Sequence, residues 1–235
     1  PFSGNILAMA SAPTFNPNQW NNTSIKERSL FPVNNVFEPG SIFKLITVAA
    51  VIEEDIVSPK TALFVPETLK LHNVTISEAH ERDEFDSGTK TVTEIIQESL
   101  HVGVTLLAQK LGEERFYKYI RDFGFGEKTG LNYPGESKGL FRHHDDWSGV
   151  DIGMISFGQG IAVTGVQMVR ALSCIANEGR CPTPRLIDYI TDTTTEKIGK
   201  FSPGMHIPVV PVDEFKNNPP DVAYLFAWNH RKEIF

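Results

Sequence analysis

The chain has 235 residues, 40% apolar and 22% charged, with a net charge of −7. That balance excludes a disordered chain and argues against a nucleic-acid partner gripped by a broad basic surface. Two cysteines exclude a disulfide framework, and the best apolar run, residues 42–52, is short of a membrane span and holds Lys44.

The chain opens on Pro1-Phe2-Ser3-Gly4, with no methionine and no basic-then-apolar leader. The expectation is a piece of a larger protein whose anchor or targeting segment lies upstream. A turn there leads into a short apolar strand over 6–9. Residues 16–35 are polar, Asn-rich and broken by Pro17 and Pro32, which predicts loop. Pro39 and Gly40 block helix upstream, so the apolar periodicity of 41–54 predicts a helix with Ser41 at or just inside its N-terminus. Short apolar patches at 63–65 and 74–76 stand among turn residues and predict small strands. Thr91 and Glu94 have capping-box spacing and start another helix. Ser99-Leu100-His101 interrupts it before a helix over 102–111, closed by Gly112. A third runs from Glu113 to about Phe123 and stops at Gly124-Phe125-Gly126. Residues 127–163 are Gly-rich and irregular. Thr164 reads as the N-cap of a helix through Asn177, with Gly179 as terminator. A short strand follows over 186–190, and prolines at 203, 208, 211, 219 and 220 punctuate a mostly extended tail. Several helices with few strands predict an α+β domain over about 1–200, short of most of its sheet, and a separate tail over 201–235.

The chemistry concentrates in Ser41-Ile42-Phe43-Lys44. Positions i and i+3 share a helix face, which puts the Lys44 amine within reach of the Ser41 hydroxyl. A serine is a weak nucleophile until a base takes its proton, and a lysine whose pKa is lowered by burial or cationic neighbours is such a base. The helix N-terminus adds a backbone N–H and a positive dipole end for a developing oxyanion. The pair alone is a weak signal, because a Ser and a Lys this far apart arise by chance on many helix surfaces.

Context strengthens it. Glu38-Pro39-Gly40-Ser41-Ile42-Phe43-Lys44, followed by Thr47 and Ala49-Ala50, resembles the active-site helix of penicillin-binding proteins, especially class B transpeptidases. Ile6 to Ser11 with Pro13, Phe15, Asn16, Pro17 and Asn18 resembles the strand and loop before that helix. Gly124-Phe125-Gly126, Thr129-Gly130 and Pro134-Gly135-Glu136 resemble a mid-domain element. Phe157-Gly158-Gln159-Gly160, Thr164, Gln167 and Ile175 to Gly179 resemble a later helix. The likeness covers about residues 1–195. It implies a penicillin-binding-protein or serine β-lactamase-like transpeptidase fold, here truncated and without most of the central sheet.

The resemblance implies that Ser41 attacks the carbonyl of a D-Ala-D-Ala stem peptide, with Lys44 as base and Ser99 as a proton-relay or cleft residue. A neighbouring strand's amine then takes the acyl group and cross-links peptidoglycan, while a β-lactam mimics the donor. His101, Gly158, Gln159 and Gly160 fall on the substrate side. No metal or organic cofactor is implied. The implied partners are the stem peptide, β-lactams and a cell-wall synthesis or division complex. The implied place is the outer face of a bacterial cytoplasmic membrane, with the anchor outside this chain.

The sequence departs from the family at three points. His101 stands where Ser-x-Asn has its Asn, and an imidazole cannot present an amide's donor and acceptor in one plane. Lys128-Thr129-Gly130 spells the third motif but lies in what the family has as a separate loop, so it reads as a decoy. No later strand carries that motif before Phe235. The tail, from Ser202 to Val209 and from Pro219 to Asn229, resembles the carboxy-terminal segment of sugar C-methyltransferases that use S-adenosylmethionine. The expectation is a fused or frame-disrupted chain, crippled as an enzyme by loss of the Lys-Thr-Gly strand. The alternatives are a non-catalytic scaffold or binding module and, further off, a β-lactamase or D,D-carboxypeptidase.

Smaller signals remain. His143-His144-Asp145-Asp146 reads as a solvated loop, because adjacent side chains in a loop seldom converge on a metal. Cys174 and Cys181 read by default as separate thiols, with a disulfide the alternative in an oxidising compartment. Asn22-Thr23-Ser24 and Asn73-Val74-Thr75 match a glycosylation pattern that needs a eukaryotic secretory context to matter. Trp147 and Trp228 read as packing residues.

Overall fold

In the computed structural model the described residues are 2–78, 87–192, 196–202 and 207–219. Trp228 and the tail from 220 onward lie outside them. The chain divides into two compact units, Pro1–Pro184 and Arg185–Phe235.

In the first unit, residues 16–35 form short helical turns where loop is expected: a 3-10 turn Pro17–Asn22, α1 Ile25–Arg28 and α2 Phe31–Asn34. The cause is local capping. The Asn16 side chain accepts from the Asn18 N–H, and Ser24 and Glu27 close a capping box. The strand expected over 6–9 does not form, and those residues lie outside every ladder. Ile6 and Met9 instead pack on a small cluster of Val33, Leu131 and Val166.

A 3-10 turn, Gly40–Phe43, runs directly into α3 Lys44–Glu53. Next come β1 Ala62–Val65, β2 Leu69–Leu71, β3 Val74–Ile76 and β4 Gly88–Thr91. β1 pairs antiparallel with β4, and β2 with β3. The helices α4 Val92–Gln97, α5 His101–Leu111 and α6 Glu113–Asp122 follow, then α7 Asp151–Ser156 and α8 Gly165–Ala176. The expected capping box forms at Thr91 with Glu94, and the expected N-cap Thr164 also closes one with Gln167. Among the described residues the sheets are all two-stranded.

One core joins these helices. Phe43, Ile46, Ala50 and Val51 of the turn and α3 pack with Val104, Leu107 and Ala108 of α5, Phe116 and Ile120 of α6, and Ile155 of α7. A seam of buried hydroxyls crosses it. Thr47 donates to the Ser156 carbonyl at 2.8 Å, Ser156 donates to the Gly153 carbonyl at 2.6 Å, and Thr105 meets the Ser156 hydroxyl at 3.3 Å. Buried hydroxyls without partners cost free energy, so this seam fixes how α3, α5 and α7 register.

Cys174 of α8 and Cys181 form a disulfide, with Cα atoms 4.2 Å apart. This corrects the expectation of separate thiols. Gly179 turns the chain back after α8, its N–H reaching the Cys174 carbonyl at 2.8 Å, and so returns Cys181 to the helix end. Arg170 bridges the same corner, donating to the Pro182 carbonyl at 3.1 Å and the Phe123 carbonyl at 3.1 Å. Burial away from water lowers its pKa.

In the second unit, β5 Ile190–Asp192 pairs in parallel with β6 Val209–Pro211, and α9 Val212–Asn217 follows. The strand expected over 186–190 therefore begins at Ile190. The tail expected to be extended holds a helix, because Pro211 sits at its N-cap and Asp213 and Glu214 occupy its first turn. Among the described residues no helix is long and apolar enough to cross a membrane.

Candidate active site

Ser41 stands exposed on the 3-10 turn, while Lys44, one turn on, is 2% exposed. Burying an ammonium or amine is costly unless hydrogen bonds replace its water. Ser99 supplies them. The Lys44 Nζ donates to the Ser99 hydroxyl at 3.0 Å and, very closely, to the Ser99 carbonyl.

Ser99 presents both oxygens to one point because of how α4 ends. Its φ is +55°, a left-handed conformation that favours glycine. The Ser99 N–H bonds the Ile96 carbonyl at 3.1 Å, and the Leu100 N–H bonds the Ile95 carbonyl at 2.9 Å. This is a Schellman-type close, with Leu100 buried as its apolar contact. A non-glycine residue pays about 1–2 kcal/mol for such a backbone. The doubled contact to Lys44 offsets it.

The next helix begins at once, with Leu100 as the N-cap of α5. Leu100 has no capping side chain. Glu78 does that work from the end of the β2–β3 hairpin, accepting from the His101 N–H at 2.6 Å and the Val102 N–H at 3.1 Å. A carboxylate at a helix N-terminus also meets the positive end of its dipole. The His101 ring stacks on Phe157, with centroids 4.5 Å apart and planes 13° apart. Its Nδ1 lies 3.3 Å from the Ser77 carbonyl.

Phe157 leads into Gly158-Gln159-Gly160, and this loop packs on the backbone just before Ser41. The Gly40 N–H donates to the Gly158 carbonyl at 3.0 Å. Both glycines have positive φ, +59° at Gly40 and +82° at Gly158. A Cβ at Gly158 would sit 2.2 Å from the Gly40 carbonyl oxygen, so no side chain fits there. The Gly160 N–H donates to Glu38 at 2.8 Å, and Gln159 is exposed. On either side of this loop, Phe37 and Val163 exchange two backbone hydrogen bonds, and Leu140 and Ala162 exchange two more.

The structure thus brings Lys44 and Ser99 into direct contact. It sets the 157–160 loop between His101 and the Gly40–Ser41 turn. Glu38, Glu78 and the stacking face of Phe157 are contributors that residue-by-residue reasoning missed. Glu38 and Phe157 stood inside the quoted motifs, beside Pro39-Gly40-Ser41 and Gly158-Gln159-Gly160, while Glu78 carried no sequence signal. Lys128-Thr129-Gly130 lies in a loop outside any strand, where the buried Thr129 gives its N–H and hydroxyl to the buried Glu136 at 2.7 and 2.6 Å. Below the site, Asp151 at the start of α7 has a lowered pKa. Burial pushes the other way, but the Ser148 N–H and hydroxyl and the Arg142 guanidinium outweigh it.

Known proteins resemble this chain in sequence and fold. The family model described as the penicillin-binding protein transpeptidase domain matches residues 1–208. A model of a C-methyltransferase C-terminal domain matches residues 182–235, in line with the likeness seen in the tail. The penicillin-binding protein PbpB of Mycolicibacterium smegmatis is 37% identical over 188 residues, covering 79% of this chain and 28% of the relative. The peptidoglycan D,D-transpeptidase FtsI of Escherichia coli is 30% identical over 178 residues, covering 75% of this chain and 29% of the relative. The chain therefore spans less than a third of the length of these relatives. Among solved structures, penicillin-binding protein 3 of Mycobacterium tuberculosis in complex with aztreonam superposes with a TM-score of 0.65. It is 38% identical, and the match covers 68% of this chain and 35% of that one. The Ser41 helix, the two capped helices and the loop at Gly158 thus sit within an established α+β fold, and the chain belongs to the penicillin-binding protein transpeptidase domain family.

Proposed function

We propose that the chain carries the acyl-transfer site of a peptidoglycan D,D-transpeptidase, with Ser41 as nucleophile, Lys44 as general base and Ser99 as proton relay. One observation carries this reading: a buried Lys44, one turn after an exposed Ser41, held by both the hydroxyl and the carbonyl of Ser99. The Ser99 hydroxyl and carbonyl both accept from Lys44, which fixes its Nζ for the role of base. The Ser41 oxygen adds to the penultimate D-Ala carbonyl as its proton passes to Lys44. The C–N bond to the terminal D-Ala then breaks, and that amine leaves with a proton relayed through Ser99. An amine from a neighbouring strand attacks the ester, forms the cross-link and returns Ser41 to its hydroxyl. Gly158, Gln159, Gly160 and His101 border the substrate, and no metal or organic cofactor takes part.

Thr129 of the Lys-Thr-Gly run at 128–130 is committed to Glu136 in a loop, which supports reading that run as a decoy. A location outside a bacterial cytoplasmic membrane is supported by the Cys174–Cys181 disulfide, because such bonds persist in oxidising compartments. β-Lactam binding is supported by the aztreonam complex of the M. tuberculosis relative, and a role in peptidoglycan synthesis by the E. coli relative's name. A non-catalytic binding module is the second reading. It is favoured by the His101 ring, which stacks on Phe157 where an amide would face the cleft.

Intact-mass spectrometry after incubation with a β-lactam decides between them. A covalent adduct on the native chain, absent from Ser41→Ala, supports the acyl-transfer site. A folded native chain that gains no mass leaves the binding module.

A further inference from the structure

The turn after Phe141 is solvated, as expected, with His143, Asp145 and Asp146 exposed, but its side chains do converge. His144–Asp146 forms a 3-10 turn with His143 as its N-cap, and the turn folds adjacent side chains onto one point. The His143 Nδ1 lies 3.2 Å from one Asp145 carboxylate oxygen, and the His144 Nδ1 lies 3.4 Å from the other. Among the described residues this is the one group of three such side chains with ligand atoms all within 4.8 Å of each other. A tetrahedral ion bound at about 2.0–2.2 Å holds neighbouring ligand atoms about 3.3 Å apart; each imidazole lies at that separation from one oxygen of the Asp145 carboxylate, and a small turn of the carboxylate would present a single oxygen to both.

The rings are also held in place. Tyr117 of α6 packs against both, at 4.7 Å from His143 and 5.1 Å from His144. Phe141 and Trp147 brace Tyr117 in turn, at 5.2 and 6.2 Å. His143 Nδ1 accepts from the Asp145 N–H at 3.3 Å, a long and weak bond that a metal ion at Nδ1 would displace. Cations line the adjoining groove, but each is already matched by a carboxylate. Arg115 pairs with Glu54, Lys118 with Asp122 and Arg121 with Glu127.

We propose that His143, His144 and Asp145 form a surface site for a divalent transition metal of the zinc, nickel or copper class. Two imidazoles and a carboxylate suit those ions and leave at least one position for water. The site is independent of the acyl-transfer reading.

The test uses the whole chain without a histidine tag, stripped with EDTA. It is titrated with ZnCl2 by calorimetry and with Co2+ followed by its visible absorption. The expected result is one Zn2+ per chain and the intense band of four-coordinate cobalt. Asp145→Asn and His144→Gln should each weaken binding at least tenfold, and His72→Gln should leave it unchanged. Asp145 is exposed, so its variant keeps the test decisive even if His144→Gln unfolds. No saturation up to millimolar zinc overturns the proposal, as does binding that neither substitution at 144 or 145 weakens.

Discussion

The corner around Ser41 and the corner at the end of α8 are held by different means. At Ser41 the parts arrive from far along the chain, at 38–44, 99–101 and 157–160. They meet through a Gly40–Gly158 backbone contact that leaves no room for a methyl group at Gly158, and through the Lys44–Ser99 and His101–Phe157 side-chain contacts. At α8 the parts are neighbours in sequence: a capping box, a glycine turn and a disulfide spanning seven residues. Long-range corners place functional groups with precision and tolerate little. Local corners stabilise and are redundant.

The sharpest way to break that contrast is Gly158→Ala. Its Cβ would meet the Gly40 carbonyl, and its backbone sits at positive φ, so several kcal/mol of stability should go, on the order of 3. Urea denaturation measures it, and a loss below 1 kcal/mol would show that the loop can move aside. Next is the disulfide. Cys174→Ser with Cys181→Ser should lose roughly 2–3 kcal/mol, as expected for a loop closed over seven residues. β-Lactam acylation should survive in that variant, and its disappearance would make α8 part of the site. Ser99→Gly sharpens the comparison from the other side. It relieves about 1 kcal/mol of backbone strain yet removes a Lys44 partner, so the melting temperature should hold or rise while adduct formation slows. The smallest effect is at Asp151. Its folded pKa lies below the ordinary 3.8, so its contribution is present above about pH 4 and fades as pH falls through the folded value. Asp151→Asn should therefore flatten the acid limb of a stability–pH curve, and an unchanged limb would mean that Ser148 and Arg142 do not hold the carboxylate in solution.

What could be read from sequence follows the same divide. The Thr91–Glu94 box, the Thr164 N-cap and the stop at Gly112 were legible because a cap is written within a few residues. So was the Ser41–Lys44 spacing, a property of one helix. Glu78 beneath α5 and the His101–Phe157 stack were not, since each joins residues distant in the chain with no local pattern to mark them. The turns over 16–35 were missed for another reason. Asparagine and serine signal loop by composition, and here they act as caps. The convergence at His143 and His144 was missed because a three-residue 3-10 turn leaves no periodicity to detect.

The junction of α4 and α5 has no spare residue. Ser99 closes one helix and Leu100 opens the other. An inserted residue would find no slack to occupy and would be drawn into a helix, swinging whatever follows by about 100°. Lys44 would then keep its burial and lose its Ser99 acceptors. Descendants of this chain can therefore experiment at that corner only by exchanging one side chain for another, whereas the short capped turns before Ser41 can grow or shrink. His101 is the kind of change that this geometry allows: new chemistry at constant length.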